Sequence, residues 1–500
     1  MSAPRETPAG GSSDPGFARA GNAVPTSALY RAVWRWHFWA GLLAVPLAMF
    51  LALTGALYLW KPQFEEWRYR DLLRVPEAGP VLPAEAQFAA AAAAHPDASA
   101  VLFNPSLEPG RTSELVLRLG RRGEGQATMG GGDRLSVYVN PYTGAVTGEV
   151  LERNRFMKVL HDLHGELLAG RPGQFVVELG ASWMFVLLLT GFYLWWPRPK
   201  FSVWGFLLPR LGARGRVFWR DLHAVPAVWF SAGALFLLAT GIPWTAYGGK
   251  WFRTLSAAMG EGSPREADAG AHRSELTGWS PPLRAGLSEE IDALASDPGS
   301  HAGHEGHDHT GGGSPAPFAM DGAASLPPRI SLDRVMEIAA ERGVPQPYGI
   351  ALPAGPTGVI SAMSDRHQAF TRTYLHLDQY SGDVLAEVRF SDFGLMGKFF
   401  LWGIIAHEGQ LFGLANQLLG TAAALGVFAI ALSGVLLWWK RRPAGALGVP
   451  VSSAALPRPV YIGTLALAVV LPLLAGTLLI LLAFDRMFSR RLPWLRLVAR

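Results

Sequence analysis

The stretch from His164 to Trp196, HGELLAGRPGQFVVELGASWMFVLLLTGFYLWW, recurs without a gap as HEGQLFGLANQLLGTAAALGVFAIALSGVLLWW at 407–439. Each copy begins at a histidine and continues into an apolar run that ends in Leu-Trp-Trp. A predominantly apolar run of about 20 residues is long enough to cross the hydrocarbon core of a bilayer. The repeat therefore predicts two equivalent membrane helices, each with a histidine ahead of it.

A second pair of apolar runs is related in the same way. The runs that begin at His37 and His223 match at one offset, 223 − 37 = 186, and the copies quoted above match at another, 407 − 164 = 243. Equivalent helices then run in the same direction, so the halves are parallel repeats related by a pseudo-two-fold axis along the membrane normal. Each half is a helix, a long polar segment and a second helix.

Composition narrows the chemistry. Half of the residues are hydrophobic, 18 are tryptophan and none is cysteine. The missing thiols exclude disulfides, iron–sulfur clusters and covalently attached c-type haem. The net charge of +5 comes from basic residues beside the apolar runs, which indicates membrane topology rather than nucleic-acid binding. By the positive-inside rule the N-terminus and the short loops are cytoplasmic, and the long polar segments are external.

These features predict an α-helical membrane protein with a pseudo-two-fold four-helix transmembrane core, a fifth C-terminal helix and two small external α+β domains. The motif GRPGQ at 170–174 predicts a helix end followed by a helix start. The predicted boundaries are a disordered tail at 1–28, membrane helices at 29–60, 161–197, 223–247, 401–440 and 460–484, external domains at 61–160 and 248–400, a Gly- and His-rich insertion at 250–326, cytoplasmic loops at 198–222 and 441–459, and a basic tail at 485–500.

Periodicity within the external segments predicts their local structure. ISLDRVMEIAAERG at 330–343 has helical apolar spacing and ends at a glycine. LSVYVNPYTGAVTGEV at 135–150 and TRTYLHLDQYSGDVLAEVRF at 371–390 each read as strand, turn, strand.

The repeat gives the histidines a chemical meaning. A planar cofactor on the axis would meet the same residue from both halves, one on each face, and a six-coordinate b-type haem takes two axial histidines in this way. The pairs predict two b-type haems, one near each membrane face, on His37 with His223 and on His164 with His407. Packing at the membrane interface is the alternative for these residues.

Three other sets of residues are also candidates. His161 lacks a partner in the repeat, since 161 + 243 = 404 is isoleucine; it is an alternative ligand or a polar interfacial residue. Arg155 and Lys398 match at the offset of 243 and could neutralise haem propionates or an acidic substrate, or form a solvated basic edge. The tract at 301–309 could hold a metal loosely or be disordered; its histidines are His301, His304, His307 and His309.

Each of the four runs also carries a hydroxyl residue followed by glycine. We interpret these pairs as helix-packing positions, with the lining of a haem pocket as the alternative. The pairs are Thr54-Gly55, Thr190-Gly191, Thr240-Gly241 and Ser433-Gly434.

With these motifs in view, the chain resembles the PepSY-associated transmembrane helix family, the iron-regulated membrane proteins of bacterial inner membranes. The resemblance runs from about 28 to 440. The motifs that carry it, in order, are WRWHFWAGLLAVPLAMFLALTGALYLW (34–60), LHGELLAG with LTGFYLWWPRP, WRDLHAVPAVW (219–229), YLHLDQYSGDVL (374–385) and AHEGQLFGLANQLLG (406–420).

The resemblance implies PepSY-like periplasmic domains and a di-haem reductase that releases iron from a ferric siderophore or another ferric chelate. The family's haem ligands carry over to His37, His164, His223 and His407. Electrons would come from a cytoplasmic or quinol donor. The rival hypothesis is a haem-free membrane protein whose external domains bind peptides or regulate an envelope protease.

Overall fold

The computed structural model describes residues 28–120, 133–196, 202–275, 327–364 and 369–442, together with 466, 471 and 473–480. Predictions for the N-terminal tail, for most of the insertion at 250–326 and for the C-terminal tail lie outside these residues.

Four helices of the described chain, α1, α6, α7 and α11, are long and apolar enough to span a membrane. Their candidate spans have 25 to 30 residues and mean hydropathies of 1.8 to 2.1. At about 1.5 Å per residue even the shortest exceeds the roughly 30 Å hydrocarbon core. The described helices are α1 (Ala28–Tyr58), α2 (Lys61–Arg68), α3 (Arg70–Leu73), α4 (Ala84–Ala93), α5 (Phe156–Glu166), α6 (Arg171–Trp195), α7 (Arg216–Gly241), α8 (Ala246–Ala258), α9 (Leu332–Glu341), α10 (Leu395–His407) and α11 (Gly413–Arg441).

Each copy of the opening repeat begins with a histidine at or near the end of a short helix, and its apolar run forms a long helix. In the first copy α5 is followed by Leu167, Leu168 and Gly170 at φ values of 54°, 55° and 58°, a left-handed stretch that ends a helix as GRPGQ predicts. In the second copy Gly409 and Gly413, at φ values of 76° and 56°, separate α10 from α11. The break that GRPGQ predicts inside 161–197 lies between α5 and α6, and the single helix predicted at 401–440 is two helices, α10 and α11.

The two long polar segments contribute four strands each to one antiparallel sheet, in the order β4-β3-β2-β1-β5-β6-β7-β8. The two halves meet where β1 pairs with β5, with Leu102 opposite Ala351 and Phe103 opposite Ile350. The two predicted domains are thus joined, because pairing satisfies strand edges that would otherwise be open. The strands are β1 (Ser99–Asn104), β2 (Ser113–Arg118), β3 (Arg134–Val139), β4 (Val146–Leu151), β5 (Tyr348–Ala351), β6 (Val359–Ser364), β7 (Thr373–Asp378) and β8 (Val384–Arg389).

One core runs across the joined sheet. Phe103 and Ile350, from the two central strands, are fully buried in it, and Ala91 of α4 and Leu332 of α9 are buried in the same cluster. The predicted helix at 330–343 is confirmed as α9, and the two predicted hairpins are confirmed as β3 with β4 and β7 with β8.

The first turns of α4 and α9 cap each other. The Asp333 carboxylate of α9 accepts the backbone N–H of Ala84 at 2.7 Å and of Glu85 at 3.1 Å. The Glu85 carboxylate of α4 in turn accepts the N–H of Leu332 at 2.8 Å. These bonds satisfy backbone donors that a helix N-terminus leaves open, and they connect the two halves of the external part.

The predicted fifth helix is described only in part. Residues 473–480 are helical, and Leu474 is buried against the cluster formed by α1 and α6. The indole N–H of Trp183 donates to the hydroxyl of Thr477 at 3.2 Å. This segment therefore packs on the outside of the first half.

Candidate functional site

His37 of α1 and His223 of α7 face each other at one end of the four spans. Their ring centroids are 6.3 Å apart and their planes are inclined by 74°. We call this the basic end, because α7 begins there at Arg216 and α11 ends there at Arg441. The sequence predicts this pair, and the structure brings its two members together.

His164 of α5 and His407 of α10 form the equivalent pair at the opposite end, which we call the sheet end. Their ring centroids are also 6.3 Å apart, with planes inclined by 64°. Because α5 folds back before α6 begins, His164 lies beside Thr54 near the end of α1. The second pair therefore lies at the end of the spans and not on a straight extension of α6.

Each of the four imidazoles has a hydroxyl oxygen beside its Nδ1 atom. Thr190 lies 2.9 Å from Nδ1 of His37, and Ser433 lies 3.1 Å from Nδ1 of His223. At the sheet end the partners are Thr54 for His164 and Thr240 for His407, both at 3.0 Å. Within each half, the first long helix, α1 or α7, thus contributes to both ends of the bundle, and the second, α6 or α11, contributes a hydroxyl at the basic end.

The direction of these hydrogen bonds follows from the hydroxyl groups. Thr54 donates its proton to the Phe50 carbonyl of its own helix, and Thr240 donates to the Phe236 carbonyl. A hydroxyl whose proton is used in this way can only accept a bond from the histidine. The Nδ1 atom then carries the ring proton, and a neutral imidazole keeps its lone pair on Nε2.

The basic end has the same arrangement. Thr190 and Ser433 donate to carbonyls of their own helices, at Val186 and Ile430. Nδ1 of His223 also lies 3.1 Å from the Ile430 carbonyl oxygen, which can only accept. All four rings are therefore held in the tautomer that leaves Nε2 free to bind a metal.

A glycine packs against each ring. A Cβ atom built on Gly55 or Gly241 would lie 3.1 or 3.2 Å from Cε1 of His164 or His407. The same atom on Gly191 or Gly434 would lie 3.4 or 3.2 Å from Cε1 of His37 or His223. These positions admit the imidazoles because they lack a side chain.

The geometry fits axial ligation of a metal between the members of each pair. A ligating imidazole nitrogen lies about 2 Å from its metal and the ring centroid about 1 Å behind it, so two axial imidazoles have centroids about 6 Å apart. Among the residues that the structure describes, no group of three or more His, Cys, Asp or Glu side chains is placed to hold a metal ion. Two imidazoles match the donor set of a haem, whose macrocycle supplies the equatorial nitrogens.

The two sites share their supporting helices. On α1 His37 and Thr54 are 17 residues apart, and on α7 His223 and Thr240 are also 17 apart. At about 1.5 Å per residue this is about 26 Å, most of the thickness of a hydrocarbon core. The arrangement places the two candidate sites near opposite ends of the four spans.

His161 is outside the paired arrangement. Its side chain is 48% exposed, and its Nδ1 atom lies 3.2 Å from the Asp162 carboxylate. Its ring contacts Tyr58 at a centroid distance of 5.6 Å. The structure places it on the outer side of α5, as the missing repeat partner indicates.

The Arg155 guanidinium is bound by carboxylates in and beside the sheet. It pairs with Glu114 at 3.1 Å and with Glu152 at 2.7 Å, and its side chain is only 12% exposed. It also donates to the Tyr138 hydroxyl; burial, followed by the Glu114 charge, raises the pKa of that phenol. The structure gives Arg155 internal partners and no contact with a paired histidine.

Lys398 donates to the Ser391 carbonyl at 2.9 Å, and its ammonium lies 5.7 Å from the centre of the Phe390 ring. It therefore does not contact a paired histidine either. The tract with His301, His304, His307 and His309 lies outside the described residues.

Sequence reasoning missed the direct contact of the hydroxyl and glycine residues with the histidines. The signal was present, since all four pairs recur at the two offsets that relate the histidines. Helix packing was the first interpretation, and the structure shows that each pair contacts an imidazole.

Comparison with known proteins identifies one family. The family model described as the PepSY-associated TM region matches residues 34–441. No curated protein matches the sequence.

Proposed function

Because the chain belongs to the PepSY-associated TM family, we propose that it is an inner-membrane electron-transfer protein with two b-type haems. Its proposed activity is the reduction of a ferric siderophore, or another ferric chelate, at the periplasmic face. The observation that carries the proposal is the pair of opposed imidazole sets, each with centroids 6.3 Å apart.

In this proposal His37 and His223 hold the haem at the basic end, and His164 and His407 hold the haem at the sheet end. When bound, the two haems would supply one-electron transfer between the ends of the bundle. The threonine and serine hydroxyls fix the ring tautomers and orientations, which raises the basicity of each ligating nitrogen. The four long helices enclose the path and exclude water from it.

The orientation follows from charge. Seven cationic side chains lie at the basic end of the described helices, and the positive-inside rule makes this end cytoplasmic. The sheet is then periplasmic. These residues are Arg31, Arg35, Arg216, Arg220, Lys440, Arg441 and Arg442.

The substrate step needs no acid or base from the protein. One electron converts the bound Fe(III) of the chelate to Fe(II), and the electron comes from a cytoplasmic or quinol donor. Chelators with hard oxygen donors hold Fe(II) less tightly, so the reduced iron is released.

A visible spectrum of the protein purified from haem-replete cells tests the cofactor. We expect sharp α and Soret bands after dithionite reduction, and two haems per chain. His37→Ala and His223→Ala should each remove one haem, and His164→Ala and His407→Ala the other. His161→Ala, the matched control one turn away, should keep both. A sample without these bands would support the haem-free peptide-binding or protease-regulating alternative.

Sealed vesicles of known orientation test the activity. We expect a reduced protein to convert a ferric chelate that cannot cross the membrane only when the sheet end faces the chelate. Equal rates from both faces would contradict the assigned direction. So would a His164→Ala variant that keeps its full activity.

A further inference from the structure

Arg441, at the end of α11, lies among residues of the helices that carry His37 and His223. Its guanidinium stacks on the Trp34 ring of α1 at 4.8 Å from the centroid. It also interacts electrostatically with Arg216 of α7 and Tyr30 of α1. Arg441 therefore lies near both α1 and α7 on the basic side of the first histidine pair.

Helical spacing places two residues of this cluster on the same helix faces as the two histidines. Tyr30 is seven residues before His37, and Arg216 is seven residues before His223. Seven residues are close to two turns, so each lies on the same face as its histidine, about 10 Å further toward the basic end. This is on the order of the reach from the centre of a porphyrin to its propionate oxygens.

Within the described residues, the cluster has no carboxylate partner for its charge. In the described part of the chain, no carboxylate forms an ion pair with Arg216 or Arg441. Asp221, the acidic residue of α7, is 1% exposed and is already held by Arg210 at 2.7 Å and by Arg220. Two guanidinium groups that approach each other repel, and a carboxylate between them would remove the repulsion and accept bidentate bonds.

We propose that Arg216 and Arg441 bind the propionate carboxylates of the haem held by His37 and His223. The acidic edge of that haem then faces the basic end of the bundle. The inference rests on the proposed function. It assigns to these two residues the role that the sequence suggests for Arg155, whose guanidinium is bound by Glu114 and Glu152.

Redox titration of the full-length protein, followed at the absorption bands of each haem, tests the inference. Replacing both residues, in Arg216→Gln with Arg441→Gln, should lower the reduction potential of the haem at the basic end, because uncompensated propionates stabilise the ferric state. The other haem should keep its potential. Arg441→Lys in an otherwise unchanged chain retains the charge and should stay close to the wild-type potential.

Lys440→Gln is the matched control. Lys440 precedes Arg441 in the same last turn and stacks on the Trp219 ring at 4.8 Å, so its loss removes the same charge from a neighbouring position. We expect it to leave both potentials unchanged. A shift as large as that of the double variant would mean that general surface charge, and not propionate binding, is responsible.

Haem chemistry provides a second readout. Protein made in haem-deficient cells can be reconstituted with iron protoporphyrin IX or with its dimethyl ester, which lacks the carboxylates. We expect the wild-type basic-end site to favour the free acid at least tenfold, and the double variant to lose that preference. If the double variant bound two haems with unchanged potentials and preference, the inference would fail while the proposed function stood. A wild-type protein that bound no haem would overturn both.

Discussion

Each paired histidine makes the same contacts: a hydroxyl at Nδ1, a glycine at the ring edge and a second imidazole across the gap. The hydroxyl matters most for the chemistry of the ring, because it fixes which nitrogen carries the proton. A bond that accepts the Nδ1 proton makes the other nitrogen a stronger donor to a metal. At the residue scale, the four imidazoles are therefore held in fixed orientations with the Nε2 atom unprotonated.

Thr54→Val tests this hydrogen bond. The substitution keeps the shape of the side chain and removes the acceptor for His164, so the imidazole becomes a weaker donor. We expect the reduction potential of the proposed sheet-end haem to rise by about 40 mV. This is equivalent to about 1 kcal/mol for one lost hydrogen bond. Thr190→Val should shift only the haem at the basic end, and a redox titration of both variants compares them. Equal shifts of both haems in either variant would contradict the assignment.

Gly55→Ala tests the fit of the ring. Its new methyl group would lie 3.1 Å from Cε1 of His164, which requires the imidazole to move. We expect the sheet-end haem to be lost or to become high-spin, as measured by the reduced spectrum. Gly165→Ala is the control, since a Cβ there meets nothing within 4 Å although it is next to His164. If both variants kept a normal spectrum, the glycine would not be needed for the site.

At the scale of the elements, the turn between α5 and α6 decides where His164 lies. The close contact of the two helices depends on Gly173, where a Cβ would lie 1.7 Å from the Glu166 carbonyl oxygen. The left-handed residues Leu167 and Leu168 carry strain of about 1 to 2 kcal/mol each, which the packing of the short helix must offset. The position of the histidine is thus set by a turn and not by the long helix itself.

Gly173→Ala should separate α5 from the start of α6. We expect the sheet-end haem to be lost and the haem at the basic end to remain, because α6 still carries Thr190. Haem content per chain, with the spectrum of the remaining haem, measures the outcome. Arg171→Ala, on the exposed first turn of α6, is the matched control and should keep both haems. Loss of the other haem instead would show that the two ends are not independent.

These element-level features mark where sequence reasoning succeeds. The pairing of His37 with His223 and of His164 with His407 follows from the two offsets, and the helix break at GRPGQ follows from glycine and proline. The second break, before Gly413, lacks a proline and is missed. The contacts of Thr54 and Thr190 depend on how two helices cross, and the internal partners of Arg155 depend on how strands pair in the sheet. Periodicity contains neither.

At the scale of the whole molecule, the two long polar segments form one sheet between them. Strands β1 and β5 belong to segments about 250 residues apart in the chain, so local patterns predict each half but not their junction. The junction has few strand bonds of its own, and the reciprocal caps of α4 and α9 reinforce it. The two-fold relation of the membrane helices stays a prediction.

Asp333→Ala tests the junction. It removes the acceptor for two N–H groups at the start of α4, and we expect the external sheet to lose about 1 kcal/mol of unfolding free energy. Thermal unfolding followed by proteolysis of the sheet measures the loss. Glu337→Ala, on the exposed side of α9, removes only an ion pair with Arg334 and should have little effect. A similar loss in both variants would indicate a general effect on α9.

The spacing of 17 residues on both α1 and α7 also constrains how this protein can change over evolutionary time. Inserting or deleting one residue between His37 and Thr54 would rotate one contact by about 100° relative to the other. A further change that restored the contact at one end of the helix would then break the contact at the other end. Adaptation to a thicker or thinner bilayer must therefore come from residues beyond the two contacts, at the helix ends, while the stretch between them keeps a fixed length.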